Sequence, residues 1–260
     1  EDAMPDQKRV LLLRTRLLVD AGQRDQALQV ISRARDLYPE STEFDELYGK
    51  LLIESGDSAQ GRAVLEDTLS ESPDRIESLN VLLEDAMRQQ EWEAAKDYID
   101  RILENTNEPA FLQSAARVYG NLGETEAAVE FARRFYDETG EGTDSALLYA
   151  RFLIENGNRE RASEVLDRAI NAAGDQEKRS RLYVLKSEIT DGPRERVLLL
   201  GEALMDSPQN VEALIRISEA YEELGEYGKA LQWLRQAAAL RPDDESLQQK
   251  VIELRRQAGG

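Results

Sequence analysis

One short pattern of apolar residues, glycine and proline recurs along this chain at an almost constant interval. Residues 51–73 read LLIESGDSAQGRAVLEDTLSESP, and residues 220–242 read AYEELGEYGKALQWLRQAAALRP. In both segments an apolar stretch precedes a glycine, and a proline follows that glycine after seventeen residues. A period of about 20–50 residues is typical of repeat proteins, in which each unit packs only against its neighbours.

The turn of this pattern occurs seven times along the chain. Its residues are Gly22, Gly56, Gln90, Gly123, Gly157, Asp191 and Gly225. Successive turns are 34 residues apart, except for one interval of 33 residues. Five residues after each turn stands Ala27, Gly61, Ala95, Ala128, Ala162, Arg196 or Ala230, so that this position is small in six copies. The spacing predicts seven copies of one structural unit.

Each copy is predicted to form two packed α-helices. Apolar side chains before the turn recur at helical spacing, as in Leu214, Ile217 and Tyr221, so one face of that helix is buried. Glycine suits the turn because a left-handed residue that carries a Cβ costs about 1 kcal/mol or more. The small residue after the turn lets two helices approach closely, and proline ends the second helix because it lacks an N–H. The pattern therefore indicates an all-α fold of stacked hairpins.

These positions closely resemble the tetratricopeptide repeat, a helical hairpin of 34 residues. The copy at 211–244 matches that pattern with Leu214, Ile217, Ser218, Tyr221, Gly225, Ala230, Leu234, Ala237 and Pro242. The resemblance covers about residues 8–258. It implies a right-handed α-solenoid of seven tetratricopeptide repeats with a capping helix at the C-terminal end.

The predicted domain organisation follows from these frames. Residues 1–7 are predicted to be irregular, and residues 245–260 to form a capping helix and tail, because polar residues occupy one of its faces. The seven repeats are assigned to residues 8–41, 42–75, 76–108, 109–142, 143–176, 177–210 and 211–244. The leucine-rich start of the first repeat is either partly covered by Met4 and Pro5 or is a face from which a preceding repeat has been removed.

Two repeats depart from the pattern. The copy at 177–210 has Arg196 at the small position and TDGPR at its turn, so we expect this hairpin to pack less closely than the others. The copy at 76–108 is one residue short and ends in NTNEP. Either the superhelix changes its angle near residues 105–109, or the loop absorbs the deletion.

Composition excludes several classes of function. The chain has no cysteine and no histidine, which removes thiolate nucleophiles, catalytic histidine pairs and most zinc and iron sites. It also lacks a phosphate-binding glycine loop and a calcium loop, so we predict no catalytic residue, no metal and no cofactor. The formal net charge of −19 disfavours nucleic acid, and no apolar stretch reaches the ~18–20 residues of a membrane span. The lack of cysteine favours an oxidising compartment such as the bacterial periplasm, with the cytoplasm as the alternative.

In tetratricopeptide proteins the first helices of the repeats line a concave groove, and the resemblance implies that positions 2, 5, 9, 12 and 13 of each repeat face it. The predicted partner-binding residues are Arg16, Lys50, Gln113, Arg117, Leu147, Arg151, Ile154, Lys178 and Arg181. The cations among them stand out in so acidic a chain. The alternative is that they simply pair with neighbouring carboxylates such as Asp144 and Glu188.

The sequence therefore predicts a scaffold without enzymatic activity that binds a partner protein or peptide in the concave groove. An acidic segment is the expected ligand, because arginine binds carboxylates through two parallel hydrogen bonds. The alternative function is a structural spacer or self-assembly module of a larger machine, such as a bacterial envelope-assembly or exopolysaccharide-export system. Self-association of the chain would fit that alternative.

Overall fold

The computed structural model describes the backbone of residues 5–259 and the side chains of residues 7–259, and this part of the chain contains fifteen α-helices and no β-strand. The helices are α1 (Pro5–Asp20), α2 (Arg24–Leu37), α3 (Thr42–Glu54), α4 (Ser58–Glu71), α5 (Ile76–Arg88), α6 (Trp92–Leu103), α7 (Pro109–Asn121), α8 (Thr125–Glu138), α9 (Thr143–Glu155), α10 (Arg159–Ala172), α11 (Gln176–Glu188), α12 (Pro193–Asp206), α13 (Val211–Glu223), α14 (Tyr227–Leu240) and α15 (Glu245–Ala258).

The chain divides into two compact units, with the division in sequence between Glu124 and Thr125. The first unit contains the hairpins α1/α2, α3/α4 and α5/α6, followed by α7. The second unit begins with α8, continues with the hairpins α9/α10, α11/α12 and α13/α14, and ends with α15, which packs on α14. Within each unit the second helix of one hairpin packs against the first helix of the next. Each unit is thus a stack of helical hairpins, which confirms the predicted all-α solenoid fold.

The turns between paired helices contain a left-handed residue at six of the seven predicted positions. Five of these residues are glycines, and their φ angles lie between 72° at Gly225 and 95° at Gly56. The sixth is Gln90, which adopts a φ of 61° although it carries a Cβ. At Gly56 a Cβ would meet no atom within 4 Å, so the φ angle alone explains the preference for glycine there.

The turn between α11 and α12 is built differently from the others. Asp191 occupies the turn position there but is not left-handed, and Gly192 precedes α12 with an extended backbone (φ −87°, ψ 135°). Pro193 then starts the helix, where its fixed φ and missing N–H cost nothing. Helix α12 consequently begins at the same position of its repeat as the other second helices.

Helices α11 and α12 pack as extensively as the helices of the other hairpins, so the looser packing expected from Arg196 is wrong. The side chain of Arg196 is only 25% exposed, and its guanidinium pairs with Glu223 of α13. Its aliphatic part therefore lies in the protein while the charge is directed towards a carboxylate. The hydroxyl of Ser180 on α11 also donates a hydrogen bond of 2.7 Å to the carbonyl of Ala203 on α12.

We expect Arg196→Ala to change the free energy of unfolding by no more than about 1 kcal/mol, because two effects oppose each other. The substitution removes a partly exposed ion pair, which contributes about 0–1 kcal/mol. It also removes the buried Nε atom of Arg196, which has no hydrogen-bond partner among residues 7–259. Urea unfolding followed by circular dichroism measures the difference. A loss above about 2 kcal/mol would show that the arginine itself is required for packing, since surface pairs contribute less.

Within each unit, the small residues after the turns lie where paired helices touch. Six of the seven are buried: Ala27, Gly61, Ala95, Ala128, Ala162 and Ala230. Helices α3 and α4 approach very closely, because a Cβ on Gly61 would lie 2.6 Å from the carbonyl oxygen of Gly49. A Cβ on Gly49 would lie 2.7 Å from Cγ of Leu65. These two glycines allow the two backbones to come into direct contact.

Two helix ends differ from the predicted frames. Helix α1 begins at Pro5, within the segment predicted to be irregular, because proline is well suited to the first turn of a helix. The proposed cover of its leucines by Met4 and by the Pro5 side chain lies outside the described residues. The deletion in the third repeat shortens α6 to 12 residues, whereas α4 and α8 each have 14, and the chain continues through residues 104–108 into α7.

A buried carboxylate connects α4 with α5. Asp85 on α5 has no solvent exposure, and its Oδ2 accepts a hydrogen bond of 2.5 Å from Nε of Arg62 on α4. Its Oδ1 accepts bonds from Nη1 of Arg88 at 3.1 Å and from the hydroxyl of Ser58 at 3.3 Å. Arg62 also pairs with Glu91, in the turn that precedes α6. This ionic cluster joins the second and third repeats.

Candidate partner-binding clefts

The first unit has a cleft of about 760 Å³ that is lined by its first helices, α1, α3 and α5. Its cationic lining residues are Arg9, Arg16, Lys50 and Arg75, and its acidic ones are Asp20, Glu43, Glu46, Glu54 and Glu77. Apolar side chains such as Leu12 and Leu47 lie between these charges. The cleft therefore has both signs of charge with a slight excess of carboxylates.

Several charges of this first cleft are already compensated within the protein. Arg75 donates two hydrogen bonds to the carboxylate of Glu46, from Nε at 2.9 Å and from Nη2 at 2.5 Å. Ser78 donates a third bond to the same carboxylate at 2.9 Å. The hydrogen bond to Glu46 raises the pKa of the Arg75 guanidinium, so this pair is a fixed part of the cleft wall.

The second unit has a cleft of about 460 Å³ formed by α9, α11, α13 and the loop that precedes α13. Its charged lining residues are Arg151, Glu177, Arg181, Glu188, Glu212 and Arg241. Its apolar lining residues are Leu147, Val184, Leu185 and Val211. Ser207, Gln209 and Asn210 complete the wall with polar groups from the loop.

The acidic residues of this second cleft already have partners. Glu177 pairs with Arg181 at 2.5 Å on α11. Glu188 and Glu212 both pair with Nη2 of Arg216 on α13, at 2.8 Å and 3.0 Å. Arg151 is exposed, and no carboxylate among the described side chains lies within ion-pair distance of it. Its guanidinium can therefore bind an external anion without breaking an internal pair.

The structure brings five of the nine predicted residues into these two clefts. Arg16 and Lys50 line the cleft of the first unit, and Leu147, Arg151 and Arg181 line that of the second. The other four, which line neither cleft, are Gln113, Arg117, Ile154 and Lys178.

Lys178 shows the local pairing that was the alternative to ligand binding. Its ammonium group lies 2.7 Å from Oδ2 of Asp144, and this hydrogen bond raises the pKa of Lys178. Glu188, the second carboxylate named in that alternative, pairs with Arg216 and with neither Arg151 nor Arg181. Lys178 is thus paired within the protein, whereas Arg151 remains available to a ligand.

Sequence reasoning missed the contribution of the α12–α13 loop to the second cleft. Asn210 caps α13, because its Oδ1 accepts a bond of 3.1 Å from the Ala213 N–H, and it donates a bond of 2.9 Å to the hydroxyl of Ser180. Arg241, at the end of α14, also reaches this cleft. An asparagine just before a helix is a recognisable cap signal, but its distance from α11 is not visible in the sequence.

The described residues contain no group of three or more acidic, cysteine or histidine side chains that could hold a metal ion. None of their helices is both long enough and apolar enough to cross a membrane.

Models of one known protein family match this chain in two segments, one near each end. Two tetratricopeptide repeat models match it, one at residues 12–76 and the other at residues 197–252. These matches fall on the hairpin stacks of the first and the second unit. Both matched segments are tetratricopeptide repeats. No curated protein sequence matches the chain significantly.

Solved structures of tetratricopeptide proteins share this fold. A tetratricopeptide repeat protein from Parabacteroides merdae has 14% identity and a TM-score of 0.64, with 96% of this chain and 98% of that chain covered. MamA from Desulfovibrio magneticus has 13% identity and a TM-score of 0.58 over 65% of this chain and 96% of its own. YrrB, a tetratricopeptide protein with an unusual peptide-binding site, has 14% identity and a TM-score of 0.51 over 85% of this chain and 96% of its own.

Proposed function

We propose that this protein is a scaffold without enzymatic activity that binds an extended segment of a partner protein on the first helices of its repeats. The observation that carries the proposal is the cleft of the second unit, where Arg151 is exposed and unpaired among the described side chains. Leu147, Val184 and Val211 provide apolar surface in the same cleft. An arginine beside apolar side chains suits a peptide that presents one carboxylate and a nearby apolar residue.

The expected ligand is an acidic segment, although the whole chain has a net charge of −19. At physiological ionic strength charges are screened over about 8 Å, so a ligand in the cleft responds mainly to the groups that line it. The three carboxylates of this cleft are bound to arginines, which reduces their repulsion of an acidic ligand. Arg241 supplies a second cation at the cleft.

Other features support a protein partner over a small molecule or a nucleic acid. The first unit has its own cleft on the same kind of helices, so each unit offers a surface to a segment of a partner protein. YrrB carries a peptide-binding site on a related fold, which supports peptide binding as a use of this architecture. We propose Gln113 and Arg117 on α7 as additional contacts, together with Ile154 on α9.

The test is charge reversal in the second cleft. A peptide selected from a random library on the wild-type protein is labelled and its affinity is measured by fluorescence anisotropy. We expect an acidic peptide, and at least a tenfold loss of affinity in the Arg151→Glu, Arg181→Glu double variant. A tenfold loss corresponds to about 1.4 kcal/mol, so losing one hydrogen bond to a charged group, which contributes about 1.5–3 kcal/mol, is enough to produce it.

A second double variant controls for the change in net charge. Arg194→Glu with Arg235→Glu alters the net charge equally, and both of these arginines are exposed and lie outside the two clefts. We expect wild-type affinity for the control, and helical circular dichroism unchanged in both double variants. Equal affinities of the cleft variant and the wild type would exclude this cleft as the binding surface.

A further inference from the structure

The outer face of α1 exposes a stripe of apolar side chains. Val10 is 61% exposed, Leu13 59% and Leu17 58%. These residues are three and four positions apart, so they lie on one side of the helix, which is separate from the side that packs on α2. Isolated exposed leucines are common, but a stripe along a helix is the usual form of a helix-binding surface.

The equivalent positions of the next repeats are covered. In α3 they are Phe44 and Leu51, which are 0% and 1% exposed, with Leu47 half-buried between them. That face of α3 packs against α2, the second helix of the preceding repeat. The stripe on α1 therefore occupies the same positions as the face of α3 that packs against the second helix of the preceding repeat.

The charges around the stripe indicate what such a helix should carry. Arg14 lies on one side of the stripe and Arg9 and Arg16 on the other, as the helical spacing requires. Among residues 7–259 none of these three guanidinium groups is within ion-pair distance of a carboxylate. A helix whose apolar stripe is bordered by aspartate or glutamate would satisfy both the apolar surface and the arginines.

A second copy of this chain fits the stripe poorly. The terminal helix that a stacked copy would present is α15, whose last turn carries Arg255 and Arg256. These cations cannot supply the carboxylates that the arginines of α1 lack, and like charges across an interface disfavour association.

We infer that the outer face of α1 binds an amphipathic helix of a partner protein whose apolar stripe is flanked by carboxylates. The apolar stripe and Arg14 lie outside the cleft of the first unit, whereas Arg9 and Arg16 also line that cleft. The inference does not depend on the proposed peptide binding, because the variants of this face change only Leu13, Arg14 and Leu17, which line neither cleft.

Two segments of this chain provide matched helical probes. A peptide of residues 56–73 contains the second helix α4 with four carboxylates and one arginine, a net charge of −3. A peptide of residues 22–39 contains the second helix α2 with three arginines and two carboxylates, a net charge of +1. Both have eighteen residues and run from the turn glycine to the proline of their repeat.

The experiment uses the absence of cysteine in the full chain. The Leu13→Cys variant has a single thiol within the stripe, and its rate of alkylation reports whether the stripe is covered. We expect saturating acidic peptide to slow alkylation at least tenfold and the basic peptide to slow it less than twofold. Equal protection by both peptides, or protection by neither, would overturn the inference.

Variants of the face locate the binding. The Arg14→Glu, Leu17→Ser double variant should bind the labelled acidic peptide with at least tenfold lower affinity, as measured by fluorescence anisotropy. Ile252→Ser, which removes an apolar side chain that is 48% exposed on α15, should leave the affinity unchanged. Sedimentation of the protein without peptide tests whether a second copy of the chain binds the stripe instead. The inference would be refuted if the Arg14→Glu, Leu17→Ser variant kept its affinity for the peptide, or if the protein self-associated and Leu13→Glu abolished this association.

Discussion

We expect Asp85→Ala to lower the free energy of unfolding by about 3–5 kcal/mol, the range observed when one member of a buried ion pair is removed. Asp85 is fully buried and accepts hydrogen bonds from Arg62, Arg88 and Ser58. Without its carboxylate, Arg62, whose side chain is 24% exposed, would retain only the ion pair with Glu91. The contact between α4 and α5 would therefore lose its polar connection and leave a cation poorly compensated.

Urea unfolding of the variant, followed by helical circular dichroism, measures this effect. Glu130→Gln is the control, because its ion pair with Arg133 is half-exposed and joins residues of one helix. Such a pair contributes about 0–1 kcal/mol. If Asp85→Ala costs no more than the control, the buried cluster does not stabilise the first unit. Hydrogen exchange should place the loss of protection in α4 and α5, since each hairpin contacts mainly its neighbours.

We expect Gly61→Ala to destabilise the protein by about 1–3 kcal/mol, although alanine favours a helix more than glycine does by about 1 kcal/mol. A Cβ on Gly61 would lie 2.6 Å from the carbonyl oxygen of Gly49 and 2.6 Å from Cγ1 of Ile53. Because a backbone atom is involved, a rotamer change cannot remove the clash. Helices α3 and α4 would have to move apart.

Gly201→Ala separates the steric effect from helix propensity. Gly201 lies within α12, and a Cβ there would meet no atom within 4 Å. This variant should gain about 0.5–1 kcal/mol of stability, because only the entropy of the unfolded chain changes. Thermal unfolding of both variants should thus show shifts of opposite sign. Stabilisation by Gly61→Ala would mean that α3 and α4 are less closely packed than the distances indicate.

Most of the fold could be predicted because the signals that define it are local. A left-handed turn is a property of one residue, so the recurring glycine marked five of the seven turns, and the spacing carried the prediction to a sixth at Gln90. The exception at Asp191 could be anticipated from Gly192 and Pro193. The packing of Arg196 could not, because it depends on Glu223 in the following repeat.

The sequence predicted which positions lie at the candidate site but not which of their charged side chains are free to bind a ligand. The repeat placed Arg151 and Arg181 on first helices, and both line one cleft. Which arginine remains available depends on distances between helices: Glu188 is bound by Arg216, 28 residues further along the chain, and Arg151 is left without an ion pair among the described side chains. Asp85 was not singled out by the sequence, because its burial and its pairing with Arg62 depend on the packing of α4 against α5.

The sequence by itself determined that this protein is a stack of helical hairpins with the spacing of tetratricopeptide repeats, because helix periodicity, turn residues and helix ends act over a few neighbouring residues. Only the tertiary structure decided which charges are satisfied, where the two clefts lie and that the apolar stripe of α1 is uncovered. Such properties depend on separations of a few ångströms between residues that are tens of positions apart. The strength of an ion pair or an apolar contact changes steeply over a few ångströms, and the repeat pattern in the sequence contains no information about such distances.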